Sequence, residues 1–240
     1  MKQNLYIILQ NRPIARDVYE ITLRGDTSAV CAPGQFVQIR LPGFYLRRPI
    51  SVCDVEEDRL TLIYKVVGKG TAAMARMHPG QRLDLLTGLG NGYDLNACGK
   101  EVAVIGGGAG VPPMYYLAKK LIASGADVTA ILGFQSKSDV FYEEKFRAIG
   151  AKTVVTTADG SCGLPGFVTD AMDAPAYVCA CGPEPMLKAV WDRSTAGQFS
   201  FEERMGCGFG ACMGCTCKTK YGAKRICKDG PVLRWEEIVW

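Results

Sequence analysis

Histidine is all but missing from this chain of 240 residues: the one copy, His78, stands in "RMHPG", a predicted loop beside a turn. A solvated imidazole in such a place reads as surface and not as a catalytic base. Long apolar runs are missing too. No stretch approaches the roughly 20 residues that span a bilayer, and the N-terminal "MKQNLYIILQNRPIARD" is already interrupted at Gln10 and Asn11. The expectation is a soluble cytoplasmic protein with no signal peptide and no membrane partner. Charge of one sign is not concentrated anywhere. The net +4 comes from 28 basic and 24 acidic residues without a long basic block, which speaks against nucleic acid and makes "YGAKRICK" an ordinary exposed loop. Neither an internal repeat nor a low-complexity linker is visible, so the parts of the chain are expected to pack together.

Cysteine, by contrast, is abundant. Eleven thiols cannot all pair, and in a reducing compartment they stay free for metals. With 48% hydrophobic and 22% charged residues the chain can bury a sizeable core and divide into two domains or so. From Leu5 to about Leu86, "VYEITLRG", "GQFVQIRL", "RLTLIYKVVG" and "GQRLDLLTG" alternate with period two between turns at Pro33-Gly34 and Pro79-Gly80, which predicts a small all-β barrel. After the glycine- and asparagine-rich "GLGNGYDLNACGK" the period changes. Strands "EVAVIGG", "DVTAILGF", "KTVVTTAD" and the one opening "AYVCACGPEPMLKAVWDRS" alternate with helices at "VPPMYYLAKKLIASG", "DVFYEEKFRAIG" and from Met186, which predicts a parallel sheet covered on both faces. From about Ser200 the regular pattern stops.

The tail carries "CGFGACMGCTC". Cys207, Cys212 and Cys215 are spaced C-x4-C-x2-C, and Cys227 follows twelve positions after Cys215, the spacing of a plant-type [2Fe–2S] site. Gly206, Gly208, Gly210 and Gly214 let backbone amides turn toward sulfurs and permit positive φ. Zinc is the competing occupant. Zinc ribbons pair two C-x2-C knuckles, and here Cys212-x2-Cys215 alone has that form. Cys217 reads as a small buried thiol or a spare.

"VAVIGGGAGVPP" sets glycines between a strand and a helix, where amides hold a pyrophosphate. It is not G-x-G-x-x-G, since Val111 stands where the third glycine would fall. "VCACGPEPML" places Cys181, Gly182 and Pro183 at the same sheet edge. In the barrel, "YLRRPISVCD" offers Arg48, Pro49 and Ser51, and "IYKVVGKGTAAM" offers Tyr64, Lys65, Val66, Gly70 and Thr71, an arginine and a helix start that suit a second pyrophosphate beside a flat ring.

R-P-x-S, G-x-G-T, "GLGNGYDL", G-G-G-x-G-V-x-P and C-G-P-x-x-M, in that order, resemble the ferredoxin–NADP reductase superfamily. The C-terminal cysteines and "ICKDGPVL" narrow the resemblance to the electron transfer subunits of class 1B dihydroorotate dehydrogenases, and it covers essentially the whole chain. The resemblance implies a six-stranded antiparallel FAD-binding barrel over 1–98, a parallel α/β NAD-binding domain over 99–199 and a small [2Fe–2S] domain over 200–240. It implies that Arg48, Pro49, Ile50 and Ser51 hold the flavin and its phosphates, that Tyr64, Lys65 and Val66 line its site, and that Gly70 and Thr71 close on its pyrophosphate. NAD would lie over Gly106, Gly107, Gly108 and Gly110, with Cys181, Gly182 and Pro183 near the nicotinamide. Cys207, Cys212, Cys215 and Cys227 would ligate the cluster, and no side chain would act as acid or base because the cofactors carry the chemistry.

The implied partner is an FMN-containing catalytic chain that oxidises dihydroorotate, joined in a heterotetramer of two of each chain. Its electrons would cross singly through the cluster to FAD, and a hydride would then pass to NAD. Residues from Met205 to Cys217 are the expected interface. The preference for NAD is implied by the family alone, since no acidic residue is plainly placed after "AILGF" and Gln135, Ser136 and Lys137 could tolerate a phosphate. A stand-alone NAD(P)H-dependent flavoprotein reductase of ferredoxin or sulfur metabolism, and a zinc-bearing interaction module, are the alternatives.

Overall fold

The computed structural model describes residues 1–173 and 177–240. The N-terminal strands are β1 (Lys2–Ala15), β2 (Val18–Arg24), β3 (Phe36–Arg40), β4 (Arg48–Glu56), β5 (Arg59–Lys65) and β6 (Arg82–Leu89), with the short helix α1 (Lys69–Ala75) before β6. They close into a six-stranded antiparallel barrel in the order β1-β2-β5-β4-β3-β6. β1 makes closure possible: its first half pairs with β6 and its second half with β2, the change of partner eased by register shifts at Ile8/Gln10 and Pro13/Ala15. Period-two pairs fill the interior. Ile21 and Leu23, Val37 and Ile39, Leu60 and Leu62 are all fully buried on the inward face.

The second unit contains β7 (Glu101–Gly107), α2 (Val111–Ala123), β8 (Asp127–Phe134), α3 (Glu143–Ala148), β9 (Lys152–Thr157), β10 (Leu164–Pro165), β11 (Val178–Cys181), α4 (Glu184–Asp192) and β12 (Gly197–Ser200). The tail adds a hairpin of β13 (Thr216–Thr219) and β14 (Gly222–Arg225), then β15 (Val232–Arg234). The large sheet runs β10-β9-β8-β7-β11-β12-β15, parallel except for β15, which lies antiparallel to β12. β7 is buried from Val102 onward because apolar layers cover both faces, Leu117 and Phe146 in one and Leu187, Val190 and Phe199 in the other.

Three details depart from the pattern read in sequence. The helix expected from Asp139 starts only at Glu143, because Tyr142 takes a left-handed backbone (φ 69°) and Lys137–Asp139 forms a separate capped turn. The last helix opens at Glu184, directly after Pro183, and not at Met186. The strand ahead of it is described from Val178, so its expected first residue, Ala176, lies outside the described residues. The tail is also not free of regular structure; strands of three and four residues are too short to show a period, and β15 stitches the tail into the large sheet.

The barrel and the sheet share one buried apolar cluster, in which Val18, Cys53 and Ile63 meet Leu117, Phe141 and Phe146. Ion pairs close its rim. Arg16 donates twice to Asp139 (3.2 and 2.8 Å), Lys119 reaches Asp54 (2.8 Å) and Glu56 (2.7 Å), and Glu20 accepts from Arg12 (2.7 Å), Lys145 (2.9 Å) and the Tyr142 hydroxyl (2.7 Å).

Burial pushes the Glu20 carboxyl up, but the hydrogen bonds from Tyr142, Lys145 and Arg12 outweigh it and hold the group below its ordinary value. A depressed carboxylate stabilises the fold fully above the unfolded value of about 4.3, and that contribution is lost as pH falls through the lower folded value. Glu20→Gln should therefore lower the thermal midpoint at neutral pH by the equivalent of roughly 1–3 kcal/mol, moderated because Arg12 and Lys145 are half exposed. The deficit should shrink below about pH 4.3. Melting curves of the two proteins from pH 7 downward check this; a deficit that stays constant into acid would refute it.

Candidate functional site

A cavity of about 720 Å³ lies between the barrel and the large sheet. The barrel supplies Val18, Ile63 and Lys65; the sheet's carboxyl edge supplies Gly107, Gly108 and Phe134. Carboxyl edges of parallel strands are where open α/β sheets bind ligands. β7 and β11 end side by side there, with Cys181 opposite Gly106 in the parallel register.

The nucleotide-loop residues divide by role. Gly107, Gly108 and Pro183 line the cavity, whereas Gly106, Gly110, Cys181 and Gly182 stand behind its wall. A Cβ on Gly110 would fall 2.1 Å from the Cys181 carbonyl oxygen, and one on Gly106 would fall 2.8 Å from Val111 Cα. These two glycines thus let helix and strands approach each other. Gly107 and Gly182 both lie beneath Met186, where a Cβ would meet its side chain at 2.4 and 2.6 Å. Cys181 is buried, and burial pushes its thiol up to about 12, which makes it an inert residue behind the wall. Thr156 Oγ1 also borders this cavity, buried and without a hydrogen-bond partner among the described residues. A lone buried hydroxyl beside a cavity is the mark of a place built for a polar ligand.

In the barrel, Arg48, Pro49, Ile50 and Ser51 follow one another half-buried along β4. The Arg48 guanidinium sits 4.9 Å over the Phe44 ring, hydrogen-bonds the Leu46 carbonyl and presses on Gly70, where a Cβ would fall 2.4 Å from Nε. Gly70 is therefore required for the arginine to reach the start of α1, a cradle suited to an anionic group. Thr71 is occupied locally: its hydroxyl accepts from the amides of Val67 (3.0 Å) and Gly68 (3.3 Å), which fixes the turn. Tyr64 is buried, stacked on Tyr19 at 5.8 Å, and its hydroxyl donates to Asn11 (2.9 Å). Lys65 and Val66 follow it at the end of β5, with Val66 partly buried against the barrel core.

The tail cysteines gather as two pairs. The Cys212 amide donates to Cys207 Sγ (3.4 Å), and the Cys227 amide donates to Cys215 Sγ (3.4 Å). Among the described residues no three ligand side chains close on a single ion. The loop is built for thiolates. Although burial pushes Cys207 up, the amides of Cys212 and Phe209, with the Cys212 thiol and the Ala211 amide, outweigh it and bring the group to about 6. Gly208 (φ 80°) and Gly210 (φ 91°) supply the left-handed turns expected of them; Gly206 and Gly214 instead lie close to the Cys212 sulfur. Cys217 sits apart, partly exposed on β13, and burial raises its thiol.

The sequence reading missed the seam residues Arg16, Glu20 and Asp139, and on the cavity wall Thr156 and Phe167. The seam residues carry no local signature, since their partners lie far off in the chain, and Thr156 and Phe167 are brought to the wall only by the fold.

The matches to known proteins agree with this geometry. Residues 202–239 match the iron-sulfur cluster binding domain of dihydroorotate dehydrogenase B, and residues 104–192 match an oxidoreductase NAD-binding domain. The chain is similar to the dihydroorotate dehydrogenase B (NAD(+)) electron transfer subunit of Geobacillus sp. (strain WCH70), 42% identical with 100% of this chain and 99% of the relative covered. It is 44% identical to the subunit of the same name from Bacillus caldolyticus, over 97% of this chain and 96% of the relative. Among solved structures, NADH-dependent reduced ferredoxin-NADP oxidoreductase superposes with a TM-score of 0.87 at 30% identity, over 99% of this chain and 90% of the other. A ferredoxin NADP+ reductase from Neisseria gonorrhoeae with bound FAD and NADP shares the fold, with a TM-score of 0.68 at 18% identity over 80% of this chain and 90% of that one.

Burial and thiol acidity together order the cysteines by reactivity. In folded, metal-free protein, maleimide should label Cys31, Cys207 and Cys212 within minutes and leave Cys53, Cys179 and Cys181 untouched, as read by peptide mass spectrometry. Labelling of Cys181 at the rate of Cys31 would contradict the closed wall described above.

Proposed function

The chain belongs to the family of dihydroorotate dehydrogenase B (NAD(+)) electron transfer subunits, and from that premise we propose that it carries reducing equivalents from a catalytic partner to NAD. The partner in this reading is an FMN-containing chain that oxidises dihydroorotate, two copies of each forming a cytoplasmic heterotetramer. Among the described residues no helix is long and apolar enough to cross a membrane. The observation that carries the reading is the placement of three different kinds of site around one barrel: the Arg48–Gly70 cradle, the cavity below Lys65, and the paired thiols held against the strand that bears Gln38.

FAD suits the barrel because Arg48 presents a fixed cation at the start of α1 and Thr71 holds that turn in shape. Pro49, Ile50, Ser51, Tyr64, Lys65 and Val66 form the strand surface beside it. NAD suits the cavity, with Gly107, Gly108 and Pro183 on its wall, Thr156 offering an unused hydroxyl, and Gly106, Gly110, Cys181 and Gly182 setting the wall's depth. The [2Fe–2S] cluster suits Cys207, Cys212, Cys215 and Cys227, whose amide-lined loop favours the thiolates it requires. Bound there, the three groups supply one-electron exchange, conversion between one- and two-electron carriage, and hydride exchange. The protein's own part is to orient: the apolar seam joins barrel and sheet, and the ion pairs on its rim hold them in register. On this reading the division at 98/99 and 199/200 gives each group its own segment, with β15 returning across the second boundary.

An anaerobic visible spectrum with iron, sulfide and flavin assays on the same sample tests the proposal. Flavin bands on a broad iron–sulfur envelope, bleached by NADH faster than by NADPH, are expected; a colourless chain that accepts neither FAD nor iron would end it. Cys212→Ser should abolish the cluster signal and electron exchange with the partner while NADH still reduces the flavin. Arg48→Ala removes a charge-assisted contact worth about 1.5–3 kcal/mol, so FAD retention, measured by ultrafiltration, should weaken roughly 10- to 100-fold.

A further inference from the structure

One polar side chain on the outer face of the barrel has no hydrogen-bond partner among the described residues. Along β3, Val37 and Ile39 point into the barrel core, whereas Phe36 points outward and joins the buried cluster that contains Cys215 and Cys227. Strand alternation puts Gln38 on the face of Phe36. Gln38 is fully buried, and neither its Nε2 nor its Oε1 has a hydrogen-bond partner among the described residues. Its backbone is held firmly, paired with Pro49 on one side and Leu86 on the other, its carbonyl accepting from Arg47 (3.3 Å).

The carboxamide lies against the cysteine loop. A Cβ on Gly208 would fall 2.2 Å from Gln38 Nε2 and 2.8 Å from Cδ, and Gly208 (φ 80°) is the residue after Cys207. Glycine is thus needed there both for the turn and for the amide that occupies the space of a side chain. A buried amide N–H without a partner is destabilising, and a bound acceptor beside it relieves that cost at the donor end. The thiolates and sulfides of a cluster are acceptors without donors, gathered on the loop that Gln38 touches. An N–H pointed at such sulfurs favours the reduced, more negative state and raises the reduction potential.

We propose that Gln38 is a positioning residue for electron transfer: its amide N–H donates to a sulfur of the centre held by Cys207, Cys212, Cys215 and Cys227, tying the cluster loop to the flavin barrel and raising the cluster's potential. The inference rests on the cluster reading above. That reading is tested first and separately, because wild-type protein without iron and sulfide would remove it before any Gln38 variant is made.

The experiment uses the anaerobic chain carrying FAD and cluster. In wild type grown with glutamine labelled with ¹⁵N at the side-chain amide, electron spin echo spectra of the reduced cluster should show a weak ¹⁵N coupling, and Gln38→Glu should abolish it. Gln38→Leu, with iron, sulfide and FAD contents unchanged, should lower the cluster's midpoint in an electron paramagnetic resonance titration and shift its g-values. The flavin midpoint should not move, whereas a purely structural amide would change the melting temperature without shifting the cluster's midpoint or g-values. No ¹⁵N coupling in wild type overturns the proposal whether or not the variants fold. So does an unmoved cluster midpoint in iron-replete Gln38→Leu, and a flavin midpoint that moves alone would assign the amide to the flavin instead.

Discussion

Everything in this molecule depends on a seam between two differently built units, and the seam is held by a buried carboxylate. Glu20 stands on β2 and gathers Arg12 from its own barrel with Tyr142 and Lys145 from the α/β unit, over sequence separations of up to 125 residues. Such a group is costly to bury alone and stable once its oxygens are fully engaged. Beneath it, the apolar cluster of Val18, Ile63 and Phe146 supplies non-directional cohesion, while the ion pairs supply register. A cavity that must present two ligands to each other needs both. Cohesion alone would let the walls slide.

The same logic explains why so many glycines stand at the site and why they are not equivalent. Gly106 and Gly110 exist so that α2 can start almost on top of β11; Gly70 exists so that an arginine can lie across a helix start; Gly208 exists so that a loop of thiols can lie on a barrel strand. In each case the absent side chain is replaced by another part of the protein. Where backbone amides remain free, as around Cys207, they stabilise negative charge on sulfur. The cysteine loop is thereby fastened to the barrel on one side and, through β15, to the large sheet on the other. The one-electron and two-electron parts of the proposed function therefore share a rigid frame without a long connecting segment.

The barrel's alternation, the strand–glycine–helix turn and the C-x4-C-x2-C loop were all legible in the sequence, because each is a local arrangement. Side-chain period, turn conformation and ligand spacing are set within a dozen residues, and the residues that specify them are adjacent in the chain. The type and order of the three parts followed from these. What the sequence did not disclose has the opposite character. Tyr142 breaking a helix, Cys181 standing behind the cavity wall, Thr156 lacking a partner among the described residues and Gln38 lying on Gly208 all depend on which elements neighbour which, and in what register. Amino-acid order alone determined which chemical groups this protein is equipped to hold. Only the tertiary structure decided which side chains face them, because that choice is made by packing between residues far apart in the chain, where no local pattern can carry the information.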